Sequence, residues 1–173
     1  MNSKHTIWTI GHSTRSFSKF LELLQQFSIQ LLIDVRSFPG SRKFPQFDKE
    51  NLMIEMPTNG IEYHHIVNLG GRRKVRKDSV NTAWRNTSFQ GYADYMETPG
   101  FQSALIQLEE LASIQHVCIM CSEAVWWRCH RSMIADALKL RGWKVMHILS
   151  MTKSQEHPYT APATIQNGKL LYS

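Results

Sequence analysis

Short apolar runs alternate along the chain with segments whose apolar residues recur every three or four positions. The runs predict strands over residues 6–11, 31–36, 61–67, 116–121 and 144–149. A run such as LLIDVR has almost no polar face, which is typical of a strand covered on both sides of a parallel sheet. The alternation predicts a single three-layer α/β domain, with a mainly parallel sheet of about five strands and helices on both faces.

The periodic segments between these runs predict the helices that cross over from one parallel strand to the next. The predicted segments are 16–27, 48–56, 101–113 and 129–142, with a shorter helical turn over 91–97. Pro57 and Gly60 are expected to stop the second helix, and Gly142 is expected to follow the last one.

Two segments lack this periodicity inside a chain whose length of 173 residues suits one domain over 1–173. Residues 68–90 are Gly-rich and then basic, which predicts a long basic loop. Long loops within compact domains are often functional. Residues 150–173 carry Pro158 and Pro162 and are expected to form an irregular C-terminal tail.

The composition favours a cytoplasmic protein that has anionic partners. Lys and Arg number 20 against 14 Asp and Glu, which gives a formal charge of +6. Three closely spaced cysteines do not suggest a disulfide framework, and the first residues lack the apolar core of a secretory signal. No apolar run is long enough to span a bilayer, so no membrane association is expected. The oligomeric state stays open.

Polar side chains and glycines follow several of the predicted strands directly. Ligands of open parallel sheets bind beyond the carboxyl ends of the strands. Gly11, Asp34, Asn68 and Cys121 are therefore expected at one edge of the sheet. This convergence predicts the functional site.

The block CSEAVWWRCHR, residues 121–131, places a thiol at a strand end and Cys-His-Arg at a helix start. A thiolate near a helix N-terminus and arginines has a lowered pKa, so Cys121 is a candidate nucleophile, ahead of Cys129. A small buried strand residue is the alternative for Cys121. Glu123, Asp34 and His130 are candidates for proton transfer. Glu123 could instead pair with Arg128 or Arg131.

A metal site is the competing interpretation of this block. Cys121, Cys129, His130 and His12 could converge on one ion, but the spacing matches no common zinc pattern. We therefore expect neither a metal nor another cofactor.

Basic residues near the same edge suggest that an anion binds there. The candidate anion-binding residues are His12, Arg36, Arg72, Arg73, Arg128 and Arg131. Glycines and arginines suit phosphate, because backbone N–H groups and guanidinium forks donate several hydrogen bonds to it. A solvated charge run is the alternative for residues 70–77. Arg131 could instead form an internal bridge to Asp34 or Glu123.

Several ordered blocks together resemble one known family. They are TIGHSTRS, LLIDVRSFPGSRKFPQF, LGGRRK, NTAWRNTSFQGYADYM and CSEAVWWRCHRSMIADAL, with EHPYTAP in the tail. The chain is similar in these blocks to domain-of-unknown-function family 488, a bacterial family. The resemblance implies a cytoplasmic α/β domain and names no activity or substrate.

Two functional hypotheses follow from these observations. The first is an enzyme acting on a phosphate-containing substrate, a nucleotide or nucleic acid, at the edge of the sheet. The second is a non-catalytic nucleic-acid-binding module that uses the basic loop over residues 70–86. The sequence does not decide whether the protein is an enzyme.

Overall fold

The computed structural model describes residues 5–173 and contains a six-stranded sheet in the order β3-β2-β4-β1-β5-β6. Five of the strands run parallel, and β6 pairs antiparallel with β5. The strands are β1 (Thr6–Gly11), β2 (Leu31–Asp34), β3 (Glu62–His65), β4 (Val117–Cys121), β5 (Lys144–Ile148) and β6 (Ser154–Glu156). The predicted α/β class and parallel sheet are confirmed, with one strand more than expected.

Five helices cover this sheet on its two faces. They are α1 (Phe17–Gln26), α2 (Lys49–Thr58), α3 (Thr87–Met96), α4 (Pro99–Ala112) and α5 (Arg131–Leu140). One core cluster joins Phe20 of α1 and Leu52 of α2 to Leu32 and Cys118 of the sheet. The opposite cluster joins α3, α4 and α5 to the alternate residues of the same strands. Successive strand residues point to opposite faces, so each central strand contributes to both clusters.

The register of the central strands brings the expected residues to one edge. Gly11 at the end of β1 pairs with Cys121 at the end of β4. Asp34 at the end of β2 pairs with Met120, one residue earlier on β4. The shared edge is therefore confirmed for Gly11, Asp34 and Cys121, whereas Asn68 lies in a short turn, Val67–Leu69, after the end of β3.

The basic loop ends earlier than its predicted limit of residue 90. Asn86 caps α3, because its side-chain oxygen accepts hydrogen bonds from the backbone N–H groups of Ser88 (2.8 Å) and Phe89 (3.3 Å). This cap starts a full helix at Thr87, where the sequence analysis expected only a turn from residue 91. Asn86 is a sequence signal for the start of this helix.

The C-terminal tail is more regular than expected. It adds β6 to the edge of the sheet and then forms a hairpin of β7 (Thr164–Gln166) and β8 (Lys169–Leu171). Asn167 and Gly168 both have positive φ, at 51° and 73°. This Asn-Gly pair matches a two-residue hairpin turn, and it could have been read from the sequence.

Two helix boundaries also differ from those predicted. Pro57 lies inside the last turn of α2, which continues to Thr58 before Gly60 turns away with φ of 82°. The helix α5 begins at Arg131, with His130 as its N-cap. No helix within residues 5–173 is both long and apolar enough to cross a membrane.

Candidate active site

A cleft of about 750 Å³ opens at the carboxyl ends of the central strands. Its walls come from the segments that follow β1, β2, β3 and β4 and from the start of α3. Seven predicted site residues line it: His12, Arg36, Arg72, Cys121, Glu123, Arg128 and His130. The cleft also contains Cys129, Tyr92 and Phe38.

Two glycines let the walls approach one another closely. A Cβ on Gly11 would lie 1.6 Å from the backbone oxygen of Glu123, so no other residue fits between β1 and the loop after β4. A Cβ on Gly71 would lie 3.0 Å from Nδ1 of His130. These contacts hold the Glu123 segment and the His130 ring against neighbouring backbone.

Two thiols and an imidazole meet in the cleft. Nδ1 of His130 lies 3.6 Å from Sγ of Cys129, and the thiol of Cys121, on the same wall of the cleft, donates to the Glu123 carbonyl at 3.9 Å. The backbone N–H of Arg131, in the first turn of α5, also points to Sγ of Cys129 at 3.5 Å. The helix N-terminus predicted to hold an external anion thus directs its first N–H group at the sulfur of Cys129.

The electrostatic environment separates the two thiols. Burial and the neighbouring Cys129 raise the pKa of Cys121 well above its ordinary value. Burial also acts to raise the pKa of Cys129, but the neighbouring Cys121 thiol and the charge of Arg131 outweigh it and lower that pKa. Burial lowers the pKa of His130. These opposite directions favour Cys129 over Cys121, the thiol that the sequence favoured, as the site of the thiolate.

Arg36 and Asp34 form a buried pair beneath the cleft. Nη2 of Arg36 donates to Oδ2 of Asp34 at 2.7 Å and to the Phe47 carbonyl at 2.6 Å, while Nε donates to Oδ1 of Asp34 at 2.9 Å. The Tyr63 hydroxyl donates to Oδ2 at 2.6 Å. Asp34 is fully buried and does not line the cleft, so its carboxylate fixes Arg36 and has no direct path to a ligand.

His12 lines the cleft as a neutral hydrogen-bonding side chain. Its Nδ1 lies 2.9 Å from the Ser13 carbonyl, which can only accept, so Nδ1 carries the proton. Nε2 then accepts from Nη1 of Arg36 at 3.3 Å. Burial lowers the pKa of His12 to about 4, with the charge of Arg36 contributing in the same direction. The ring stacks on Phe47 with centroids 4.4 Å apart.

Arg131 lies in the interior, with its side chain 1% exposed, and does not line the cleft. Its Nη2 donates to the backbone carbonyls of Glu123 (3.0 Å) and Ala124 (3.2 Å), and Nη1 donates to Oγ1 of Thr9 (3.2 Å). Its Nε has no hydrogen-bond partner within the described chain. The structure places this guanidinium as a clamp on the loop after β4, not against the carboxylate of Asp34 or Glu123.

A buried hydrogen-bond chain extends from Arg131 to the tail and was not anticipated from the sequence. Thr9 Oγ1 contacts Nδ1 of His147 (2.5 Å), Nε2 of His147 contacts Nδ1 of His157 (2.8 Å), and Nε2 of His157 contacts Asp136 (2.8 Å). The Asp136 carboxylate accepts at one end of this chain, and Arg131 donates to Thr9 at the other. If both imidazoles are neutral, each hydrogen bond between these ends has one donor and one acceptor.

The remaining predicted arginines occupy different environments. Arg72 and Arg128 are exposed at the rim of the cleft, where Arg72 lies over the Phe38 ring at 5.6 Å. Arg73 instead stacks on the Tyr95 ring at 3.7 Å, donates to the Gly70 carbonyl and lies outside the lining. Only two of the exposed cations expected at the anion site therefore face the cleft.

The metal interpretation finds no support in this geometry. Across residues 5–173, no group of three or more His, Cys, Asp and Glu side chains is placed to hold a metal ion. Nε2 of His12, the unprotonated nitrogen of that ring, accepts a hydrogen bond from Nη1 of Arg36 at 3.3 Å.

The family model for domain of unknown function DUF488 matches residues 16–138, well over half of the chain. The chain belongs to the DUF488 family. The DUF488 match includes the Cys121–Arg131 block and both rim arginines, whereas His12 on the segment after β1 precedes it. No curated protein and no solved structure gives a significant match to the chain.

Proposed function

We propose that this protein is an enzyme that acts on a phosphate-containing substrate, a nucleotide or nucleic acid, bound in the cleft. The observation that carries the proposal is the position of two unpaired guanidinium groups above a thiol and an imidazole. Neither Arg72 nor Arg128 forms a salt bridge within residues 5–173, and both line the cleft that contains Cys129 and His130.

Arginines at a rim suit phosphate because the planar guanidinium can donate two parallel hydrogen bonds to its oxygens. Phe38 favours a nucleotide over inorganic phosphate. Its ring is 72% exposed, lines the cleft and lies beneath Arg72. Exposure of an apolar ring to water is unfavourable, and the ring offers a flat surface on which a base can stack.

The second hypothesis, a nucleic-acid-binding module without catalysis, depends on the loop over residues 70–86. Lys74, Lys77 and Arg85 are exposed there and form no ion pair in the described part of the chain. Arg76 is less available, because it pairs with Glu97 at 2.7 Å. The two hypotheses predict different sets of important cations.

The test is calorimetric titration of the protein with inorganic phosphate, nucleoside monophosphates and short oligonucleotides at low and high salt. Removing a charge-assisted hydrogen bond costs about 1.5–3 kcal/mol, so Arg72→Ala and Arg128→Ala should each weaken nucleotide binding about 10-fold to 100-fold. Lys153→Ala is the matched control, since it removes an exposed charge away from the cleft.

Binding of mononucleotides that depends on Arg72 and Arg128 supports the cleft. The binding module would be favoured if only oligonucleotides bind. In that case a Lys74→Ala, Lys77→Ala, Arg85→Ala triple variant should lose this binding, whereas the Arg72→Ala and Arg128→Ala variants should keep it. Absence of binding by every ligand at low salt would refute both hypotheses.

A further inference from the structure

The three thiols of the chain have different surroundings, and one of them is equipped to react. Cys118 lies in the core cluster on the far face of the sheet. Cys121 and Cys129 line the cleft together. Of these two, Cys129 accepts a hydrogen bond at its sulfur from the backbone N–H group of Arg131 at 3.5 Å, and Nδ1 of His130 lies 3.6 Å from the same sulfur. Such an N–H donor stabilises the negative charge of a thiolate.

The tautomer of His130 follows from its hydrogen bonds. Nε2 lies 2.7 Å from the backbone carbonyl of Val35, which can only accept, so Nε2 carries the proton of the neutral ring. Nδ1 is then unprotonated, and it lies 3.6 Å from Sγ of Cys129. The ring is held edge-on to Tyr92, with centroids 5.1 Å apart, and Gly71 packs on its other side.

We propose that Cys129 is the nucleophile of the cleft and that Nδ1 of His130 accepts its proton. This assignment deepens the proposed function and, in naming a phosphate ester as the electrophile, rests on it. Cys121 is a positioning residue whose neighbouring thiol lowers the pKa of Cys129, and the carbonyl of Val35 orients His130.

The covalent step balances with groups of this cleft and one water molecule. The thiol proton of Cys129 passes to Nδ1 of His130, and the sulfur attacks the phosphorus of the ester. A P–S bond forms, the P–O bond to the leaving group breaks, and the departing oxygen takes the proton from His130. Water then attacks the phosphorus, the P–S bond breaks, phosphate leaves, and a proton from the water returns to the sulfur.

The charge on Cys129 is set by groups from four elements. Cys121 ends β4, Glu123 follows it, Arg131 opens α5 beside His130, and Tyr92 projects from α3. Arg131 favours the thiolate, while the negative charge of Glu123 opposes it. Because Arg131 sits 1% exposed, its charge is screened less than that of the rim arginines.

The test is the rate of alkylation by iodoacetamide, measured for each thiol by mass spectrometry between pH 5 and pH 9. We expect Cys129 to react faster than Cys121 and Cys118, with a midpoint below the ordinary thiol value of about 8.5. Cys121→Ala should raise that midpoint, and Cys121→Ser, which keeps a donor, should restore most of the shift. His130→Gln should slow alkylation of Cys129 at neutral pH.

Faster labelling of Cys121, or a Cys129 midpoint at or above 8.5, would overturn the assignment. Circular dichroism of each variant verifies that its fold is retained, and the wild-type profile alone decides the order of reactivity. Phosphate protection separates the two proposals. A reactive Cys129 that neither phosphate nor nucleotide protects leaves the nucleophile in place and refutes the phosphate substrate. Nucleotide binding together with an unreactive Cys129 supports the phosphate-containing substrate and refutes Cys129 as the nucleophile.

Discussion

Replacing Arg131 with alanine tests whether this arginine is an internal clamp or an anion ligand. The substitution removes three hydrogen bonds, to Thr9 and to the carbonyls of Glu123 and Ala124. Each bond to a charged group contributes about 1.5–3 kcal/mol, so the bonds alone would amount to more than about 4 kcal/mol.

The substitution also removes two unfavourable contributions that this side chain makes to stability. The guanidinium is held in the interior without a carboxylate partner, and its buried Nε is unsatisfied within the described chain. Relief of this desolvation offsets part of the loss, whereas the two carbonyls left behind add to it. We expect Arg131→Ala to lower the free energy of unfolding by about 3–5 kcal/mol, the range for breaking buried charged contacts.

Urea unfolding followed by tryptophan fluorescence measures this loss, and Arg128→Ala is the matched control. Arg128 is exposed, so its removal should change stability by less than about 0.5 kcal/mol. For a chain of this size, the Arg131 variant should also melt about 6–20 °C lower. Stability within about 1 kcal/mol of wild type, combined with weaker phosphate binding, would refute the internal clamp and return Arg131 to the anion site.

Three further predictions concern the edge of the sheet and the buried chain. Gly11→Ala should destabilise the fold by more than about 3 kcal/mol or prevent folding, since its Cβ would overlap the Glu123 carbonyl; wild-type stability by urea unfolding would contradict this contact. Asp136→Ala leaves four donors from His157, Thr160 and Tyr172 unsatisfied and should cost about 3 kcal/mol or more, whereas the exposed control Asp78→Ala should cost under about 0.5 kcal/mol. The folded-state pKa of His12 is about 4 and lies below its unfolded value, so the unfolded state binds more protons as pH falls from 6.5 toward 4. The free energy of unfolding of the wild type should therefore fall by about 2 kcal/mol between pH 7.5 and pH 5 through this group, and that of His12→Gln should fall correspondingly less. Equal pH dependence of stability in the two proteins would argue against a buried neutral His12.

The sheet could be predicted because strand and helix periodicities are local properties of the sequence. A run such as LLIDV has almost no polar face, so it must be covered on both sides, and the helical segments between the runs are long enough for the crossovers that parallel strands require. The placement of Gly11, Asp34 and Cys121 at one edge follows directly from that topology. The Asn86 cap and the Asn167-Gly168 turn were equally local signals, and their omission explains the misjudged loop and tail.

The roles of individual side chains at the site could not be predicted from local sequence patterns in the same way. Arg128 and Arg131 are the same residue type, three positions apart, yet one is exposed at the rim and the other is 1% exposed. That difference arises because α5 begins at Arg131 and turns the side chain toward β1, where Thr9 and the loop carbonyls surround it. Burial of this kind depends on which strands are neighbours in the sheet, and composition does not specify that.

The sequence by itself determined the α/β architecture, the edge at which polar groups collect and the residue types that meet there. Only the tertiary structure decided which thiol carries the lowered pKa, because Cys129 has the thiol of Cys121 from β4 and the N–H group of Arg131 from α5 as neighbours. It also decided that Asp136, His157 and His147 form one chain with Thr9, in which the directly bonded Thr9 and His147 lie 138 positions apart. Hydrogen-bond partnership depends on distances of about 3 Å between atoms, and only the packed fold brings such distant positions that close.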